Sequence, residues 1–302
     1  MCLVLFSIFG IYIFIVIGFV AKMSFKDAID DKTITILNVY FLQVFLTFWG
    51  LLIRPIDIKL LFAPSIYLFI VILILIFSAI VAKKIFYEQK EYSIATVAAI
   101  IGNTGNLGIP LCIAIFGEES IPYTTIINLV NVFIVYTFGV YYYSRGNFDA
   151  KTSLKNILKL PILWAASVAI ILSAIGYKPS ENIMKTLMMG AYASITMQLL
   201  LFGIYLYGTK INQISKKLTI WVMGLKFIII PLITFAILHN IELDPMIKGV
   251  IFMELLMPLA VANVNIASLY ECNAKVVTAL VFISSALFLG IIFIGIKVLA
   301  FL

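Results

Sequence analysis

The chain has 302 residues, of which 64% are hydrophobic and 12% charged, and its mean hydropathy is +1.16. No soluble domain of this size has interior enough for so much apolar surface, so a polytopic helical membrane protein is expected. The net charge of +7 comes from basic residues scattered between apolar runs, which argues for loop charges and against a nucleic-acid partner.

In chain order, ten apolar segments are expected to span a bilayer, at roughly 2–21, 34–53, 60–82, 92–116, 122–143, 157–176, 183–207, 218–238, 247–270 and 276–301. Each approaches the twenty helical residues that cross a hydrocarbon core. The first run starts without a basic leader and continues as a full span, so no cleavable signal peptide is expected. The connections are short and no soluble domain is inserted. In and beside the loops that follow odd-numbered spans there are 14 Lys and Arg, against 5 for the even-numbered ones. Positive residues gather in cytoplasmic loops, so both termini are expected outside a cell membrane crossed many times. Tyr141–Tyr143, followed by Arg145, fit an interfacial belt at a cytoplasmic exit.

Five spans in each half mean that, if the halves are copies, the second is inserted upside down. The fourth span of each half carries an interruption. Span 4 contains "GNTGNLGIPL", Gly102 to Leu111, and span 9 contains "MELLMPLAVANVN", Met253 to Asn265. Pro110 and Pro258 occupy matching places. Proline lacks an N–H and clashes with the preceding turn, and glycine lowers the cost of non-helical backbone. Two such breaks meeting near the bilayer centre leave half-helix N-termini facing the crossing, which favours an anion, a carboxylate above all.

Asn103 and Asn106 are three apart and share a face on any helical turn. Asn263 and Asn265 are two apart and diverge, which favours Asn263 as the ligand-facing member. Asn128 and Asn131 share a face of span 5, as part of the same polar centre or as helix-to-helix glue. Glu254 reads either as a proton carrier or as a group paired with a neighbouring amide. Lys226, about two turns into span 8, is expected to snorkel to the cytoplasmic interface.

Other chemistries lack their residues. Cys2, Cys112 and Cys272 form no C-x-x-C pattern and His239 is the only histidine, so neither a metal site, a disulfide scaffold nor a bound cofactor is expected. There is no Ser–His, paired-Asp or His-rich arrangement for an intramembrane enzyme, and no phosphate loop for ATP-driven pumping. An enzyme is therefore not expected, and the paired breaks favour a carrier.

The stretches "AIIGNTGNLGIPLCIAIFGEESIPY", "LKNILKLPILWAASVAIILSAIGYKP" and "MELLMPLAVANVNIASLYECN" resemble the fourth, sixth and ninth helices of the auxin efflux carrier family, which includes the plant PIN carriers and bacterial permease-like proteins. The resemblance implies an all-α fold of ten transmembrane helices in two inverted five-helix repeats, 1–145 and 146–302, with helices 4 and 9 broken and crossing, as in bile-acid symporters and sodium–proton antiporters. It implies a scaffold from spans 1, 2, 6 and 7 and a mobile transport domain from spans 3–5 and 8–10, working by an elevator motion, and a homodimer through the scaffold. Asn103 is then the substrate-binding asparagine, and Pro110 and Pro258 the crossover pair. The chain departs from the family where spans 2 and 7 usually carry a proline: none stands near "VYFLQVFLTF", and Thr196–Met197 replace the other. The expectation is a secondary transporter for a small organic anion, a carboxylate or auxin-like acid. Its site draws on Asn103, Asn106, Pro110, Asn131, Pro258, Asn263 and Asn265, with Glu254 for a proton or sodium coupling ion. A cation–proton antiporter on the same fold and a non-transporting sensor are the alternatives.

Overall fold

The computed structural model describes residues 2–52, 61–207 and 214–302, without the side chains of residues 2–12, Pro110 and Glu118. The loop residues Arg54, Lys59 and Lys210, which entered the charge comparison, lie outside it. Among the described residues the regular structure is all helix, with no strand and only an isolated bridge between Gly102 and Leu259.

The elements are α1 (Cys2–Phe25), α2 (Asp31–Leu52), α3 (Phe62–Ile85), α4 (Gln89–Val97), α5 (Thr104–Phe116), α6 (Ile121–Arg145), α7 (Ala150–Leu158), α8 (Pro161–Ala174), α9 (Glu181–Leu206), α10 (Lys216–His239), α11 (Pro245–Leu256), α12 (Ala262–Leu269) and α13 (Ala274–Val298). Among the described residues, six of the helices are long and apolar enough to cross a bilayer: α2, α3, α6, α9, α10 and α13, the last continuing to Phe301. The bent pair α7 and α8, meeting at 50°, makes a seventh if taken as one span. The two segments expected to be interrupted are interrupted: neither 92–116 nor 247–270 forms a continuous rod.

Local chemistry explains where the helices start. Asp30, Asp149, Ser180, Ser215 and Asp244 each accept a backbone N–H of the first turn they precede, filling donors that have no partner inside the helix. Asp30 and Asp149 are held below the ordinary carboxylate range chiefly by hydrogen bonds from Thr33 and Thr152. By contrast α5 and α12 follow Asn103 and Val261, neither of which caps its helix with a side chain.

Packing falls into two groups. α1 lies along α9, α9 along α2, and α2 along α8. In the second group α4 packs on α3 and α6, α11 packs on α3, α6 and α10, and α12 packs on α13. Contact between α1 and α9 is backbone to backbone. A Cβ on Gly203 would stand 1.9 Å from the Ile15 carbonyl oxygen, and one on Gly18 would stand 2.1 Å from that of Leu200. Small residues permit such approach, and dispersion and polar contacts replace the missing hydrophobic drive in lipid. Leu, Ile and Val from both groups fill one continuous core, while Ile171, Leu232, Phe69 and Ile294 are exposed, as suits surfaces meeting lipid tails.

Candidate functional site: two interrupted helices and their amides

The site starts from two prolines. A continuous helix would have residue 258 donate its N–H to the carbonyl of Glu254, and Pro258 has none. α11 ends at Leu256, and the chain runs on non-helically through Met257–Val261 before α12. On the other segment α4 ends through a short tight turn, Ala98–Ile100, and 101–103 are non-helical. The widened turn Thr104–Gly108 then leads into Pro110. The backbone of Pro110 is helical; its ring lies outside the described residues.

The two breaks hydrogen-bond each other as a miniature antiparallel ladder. Asn103 N–H donates to the Pro258 carbonyl at 2.8 Å, and Ala260 N–H donates to the Ile101 carbonyl at 2.9 Å. Side chains satisfy further freed groups. Asn131 Nδ2 donates to the Gly102 carbonyl at 2.8 Å and to Thr104 Oγ1 at 3.0 Å, and Tyr67 donates to Asn131 Oδ1 at 3.3 Å. Asn263 Nδ2 donates to the Ile101 and Ala260 carbonyls, both at 3.1 Å, and its Oδ1 accepts from Tyr143 at 2.8 Å. Leu259 N–H reaches Ser284 Oγ at 3.1 Å. In hydrocarbon each orphaned backbone group costs several kcal/mol, so these partners are what make the breaks tenable.

Beside the crossing is a cavity of about 140 Å³, a volume comparable to one that takes a benzene-sized guest. One wall is α2 and α9, with Gln43, Leu46, Trp49, Ile195 and Gln198; the other comprises Gly102–Asn106, Asn128, Asn131 and Ala260–Ala262. Among the described residues, the carboxamides of Gln43, Asn103, Asn106 and Gln198 make no hydrogen bond, and no acceptor meets the N–H groups of Thr104, Gly105 and Asn106. Asn128 is occupied: its Oδ1 accepts from Thr104 at 2.8 Å. The cavity is thus rich in unengaged donors, beside two uncapped helix N-termini with their partial positive charge. Among the described residues no charged side chain lines it.

The expected site residues separate on this geometry. Asn103, Asn106 and Asn131 line the cavity, with Asn131 spent on holding the break. Asn263 is fully buried against the crossing backbone and does not face the cavity, contrary to its preference over Asn265 as the ligand-facing member. Its reach to Ile101 explains this: the carboxamide replaces helix partners that the break removed. Asn265 also stays outside the lining, buried with neither end of its carboxamide partnered. Pro258 acts through its backbone carbonyl.

Glu254 is fully buried beneath the widened turn of α5. Its Oε1 accepts from Thr124 and, at 3.8 Å, from Cys112; Oε2 has no partner. A Cβ on Gly108 would fall 2.1 Å from Oε2, so only glycine leaves room for this carboxyl. Lys226 is a correction. It does not snorkel: at 2% exposure its ammonium lies at the crossing, 3.2 Å from where a Cβ on Gly102 would stand. The lysine sits in the widened turn Leu225–Ile229, just ahead of Pro231, and such a turn shifts the helical register of the side chains it carries.

Gln43, Gln198, Trp49, Thr104, Tyr67 and Thr124 were not singled out from sequence, and Tyr143, expected in an interfacial belt, is instead fully buried at the crossing, where it donates to Asn263. Gln43 and Gln198 carried a legible signal, being uncharged amides in the middle of apolar runs; the hydroxyls did not.

The sequence profile of a family described as "Membrane transport protein" matches residues 3–295. An uncharacterized transporter of Methanocaldococcus jannaschii is 27% identical over 222 residues, covering 72% of each chain.

Proposed function

Since the chain belongs to the membrane transport protein family, the auxin efflux carrier group, we propose that it is a secondary carrier for a small organic anion bound at the crossing of the two interrupted helices. The observation that carries this reading is the cavity itself: unengaged amides and uncapped helix N-termini, with no acidic side chain among the described residues of its lining. Such a surface donates hydrogen bonds and repels no carboxylate. In this reading ten spans form two inverted halves, 1–145 and 146–302. α1, α2, α8 and α9 make the scaffold, and the elements around the crossing move against it in an elevator cycle. Asn103 and Asn106 from one side, and Gln43 and Gln198 from the other, grip the carboxylate, while Asn131, Asn263 and Pro258 hold the crossing in shape. No catalytic step is part of this function.

The test is uptake of radiolabelled mono- and dicarboxylates into proteoliposomes. Saturable uptake by the wild type that falls about tenfold in Asn103→Ala, the loss of roughly one good hydrogen bond to a charged group, supports the reading. Equal uptake by both proteins refutes the assigned site. A cation–proton antiporter is the second reading, favoured by the full burial of Glu254. Currents evoked on a solid-supported membrane by sodium alone, abolished in Glu254→Gln, would select it.

A further inference from the structure

We propose that Lys226 is a tethered cation of the crossing: its ammonium seats against the carbonyl end of α11 and balances the charge of the bound anion, so that no free metal cation has to bind there. This rests on the anion-carrier reading and adds to it the charge balance of the cycle.

The argument begins with orphaned carbonyls. Pro258 deprives the Glu254 carbonyl of its helical donor, and Met257 lies just beyond the end of α11. A Cβ on Gly102 would stand 3.2 Å from Lys226 Nζ, 3.6 Å from the Glu254 carbonyl oxygen and 3.7 Å from that of Met257. One ammonium and two carbonyls therefore surround a single glycine. A helix C-terminus carries partial negative charge and attracts cations, and in interrupted membrane helices such ends are where coupling cations are coordinated. Here a side chain occupies the place.

The second observation is what the ammonium lacks. Among the described residues Lys226 forms no hydrogen bond and no ion pair, although it is 2% exposed. Glu254 is the only buried acidic side chain among the described residues; it lies on the Gly108 side of the break, hydrogen-bonded through Oε1 to Thr124 and Cys112, and its charge acts on Lys226 without an ion-pair contact. Isolated buried charge is costly unless compensated. Carbonyl dipoles and the more distant Glu254 carboxyl supply part of the compensation, and an anion in the cavity adds to it, because Gly102, which the ammonium faces, also lines that cavity. The absence of a side chain at Gly102 lets the two charges act through backbone alone.

The experiment uses the full chain in proteoliposomes, with the carboxylate found in the uptake screen as the labelled probe. Wild-type uptake is expected to be the same in sodium chloride and in choline chloride. Lys226→Met, which fills the space without charge, is expected to lose about tenfold or more in both salts. Lys226→Ala leaves a hole; its uptake is expected to fall in choline and recover when sodium or methylammonium is added. Thermal unfolding of the purified proteins provides a readout independent of transport: both cations should stabilise Lys226→Ala and leave the wild type unmoved. Sodium-dependent wild-type uptake, wild-type rates in Lys226→Met, or a Lys226→Ala protein indifferent to both cations in both assays would each overturn the proposal while leaving the carrier reading intact. Absence of carboxylate uptake by the wild type would instead remove the carrier reading, and this inference with it.

Discussion

Replacing Asn263 by leucine separates a residue that builds the crossing from one that meets the guest. Leucine is close to asparagine in shape, so the change deletes hydrogen bonds without opening a cavity. Three bonds go: two from Nδ2 to the Ile101 and Ala260 carbonyls at 3.1 Å, and one from Tyr143 at 2.8 Å. Side-chain hydrogen bonds inside membrane proteins average about 0.6 kcal/mol each, which gives about 2 kcal/mol for the set. The Tyr143 hydroxyl is then buried without a partner, and such orphans cost about 1–3 kcal/mol. The expected destabilisation is therefore about 3–5 kcal/mol, read by detergent-denaturant titration of purified protein. Tyr143→Phe should cost less, since it removes one bond, and the double variant should be markedly non-additive because the two residues share that bond. Carboxylate affinity of the folded Asn263→Leu protein should stay within about threefold of wild type. A variant of unchanged stability but lost affinity would show that Asn263 faces the guest, and the division between the cavity and its support would be wrong.

Three more outcomes follow from close contacts and exposed charge. Gly203→Ala should push α1 from α9 and lower stability by about 1–3 kcal/mol, because the atom it meets, the Ile15 carbonyl oxygen at 1.9 Å, is backbone and cannot swing aside; a thermal midpoint equal to wild type would contradict the packing. Gly108→Ala meets the Glu254 carboxyl instead, so its loss of stability should be largely relieved by Glu254→Ala, and two additive losses would refute the contact. On the surface, Lys32 donates to Glu271 at 2.8 Å, and Thr35, Tyr205 and Ser268 continue this link between α2, α9 and the end of α12. The Lys32 hydrogen bond holds the Glu271 carboxyl below its ordinary value. A lowered folded-state value means that the contact contributes fully above the ordinary carboxylate range and is lost as pH falls through the lowered one. Hydrogen exchange at Ser268–Glu271 should accordingly rise on acidification in the wild type and be fast at all pH values in Glu271→Gln; no difference between the two would dismiss the pair as a brace.

The all-helical, multi-pass membrane class was legible before any coordinates, because a bilayer imposes one length and one backbone solution on every segment that crosses it; of the ten expected spans, six are long apolar helices among the described residues, or seven if the bent pair counts as one. The breaks were legible too. Gly102, Gly105, Gly108, Pro110 and Pro258 oppose helix by covalent structure, whatever surrounds them. Asn103 and Asn106 stood out as polar groups beside the break, but their residue type alone did not separate them from amides spent on backbone, such as Asn131. Direction was not legible. Asn263 and Asn103 are the same residue type beside equivalent breaks, yet one is spent on the backbone and the other left unengaged. That choice depends on where Tyr143 and Ile101 arrive from distant parts of the chain.

Lys226 shows the same limit from the other side. Its place in the sequence suits a lysine reaching for the interface, yet it sits in the turn widened ahead of Pro231, with its ammonium in the open space at Gly102. Local covalent preference acts over one turn of helix, so sequence determined what breaks, what spans and which groups are polar. Which polar group faces another is set by contacts between segments more than a hundred residues apart, and that the tertiary structure alone decided.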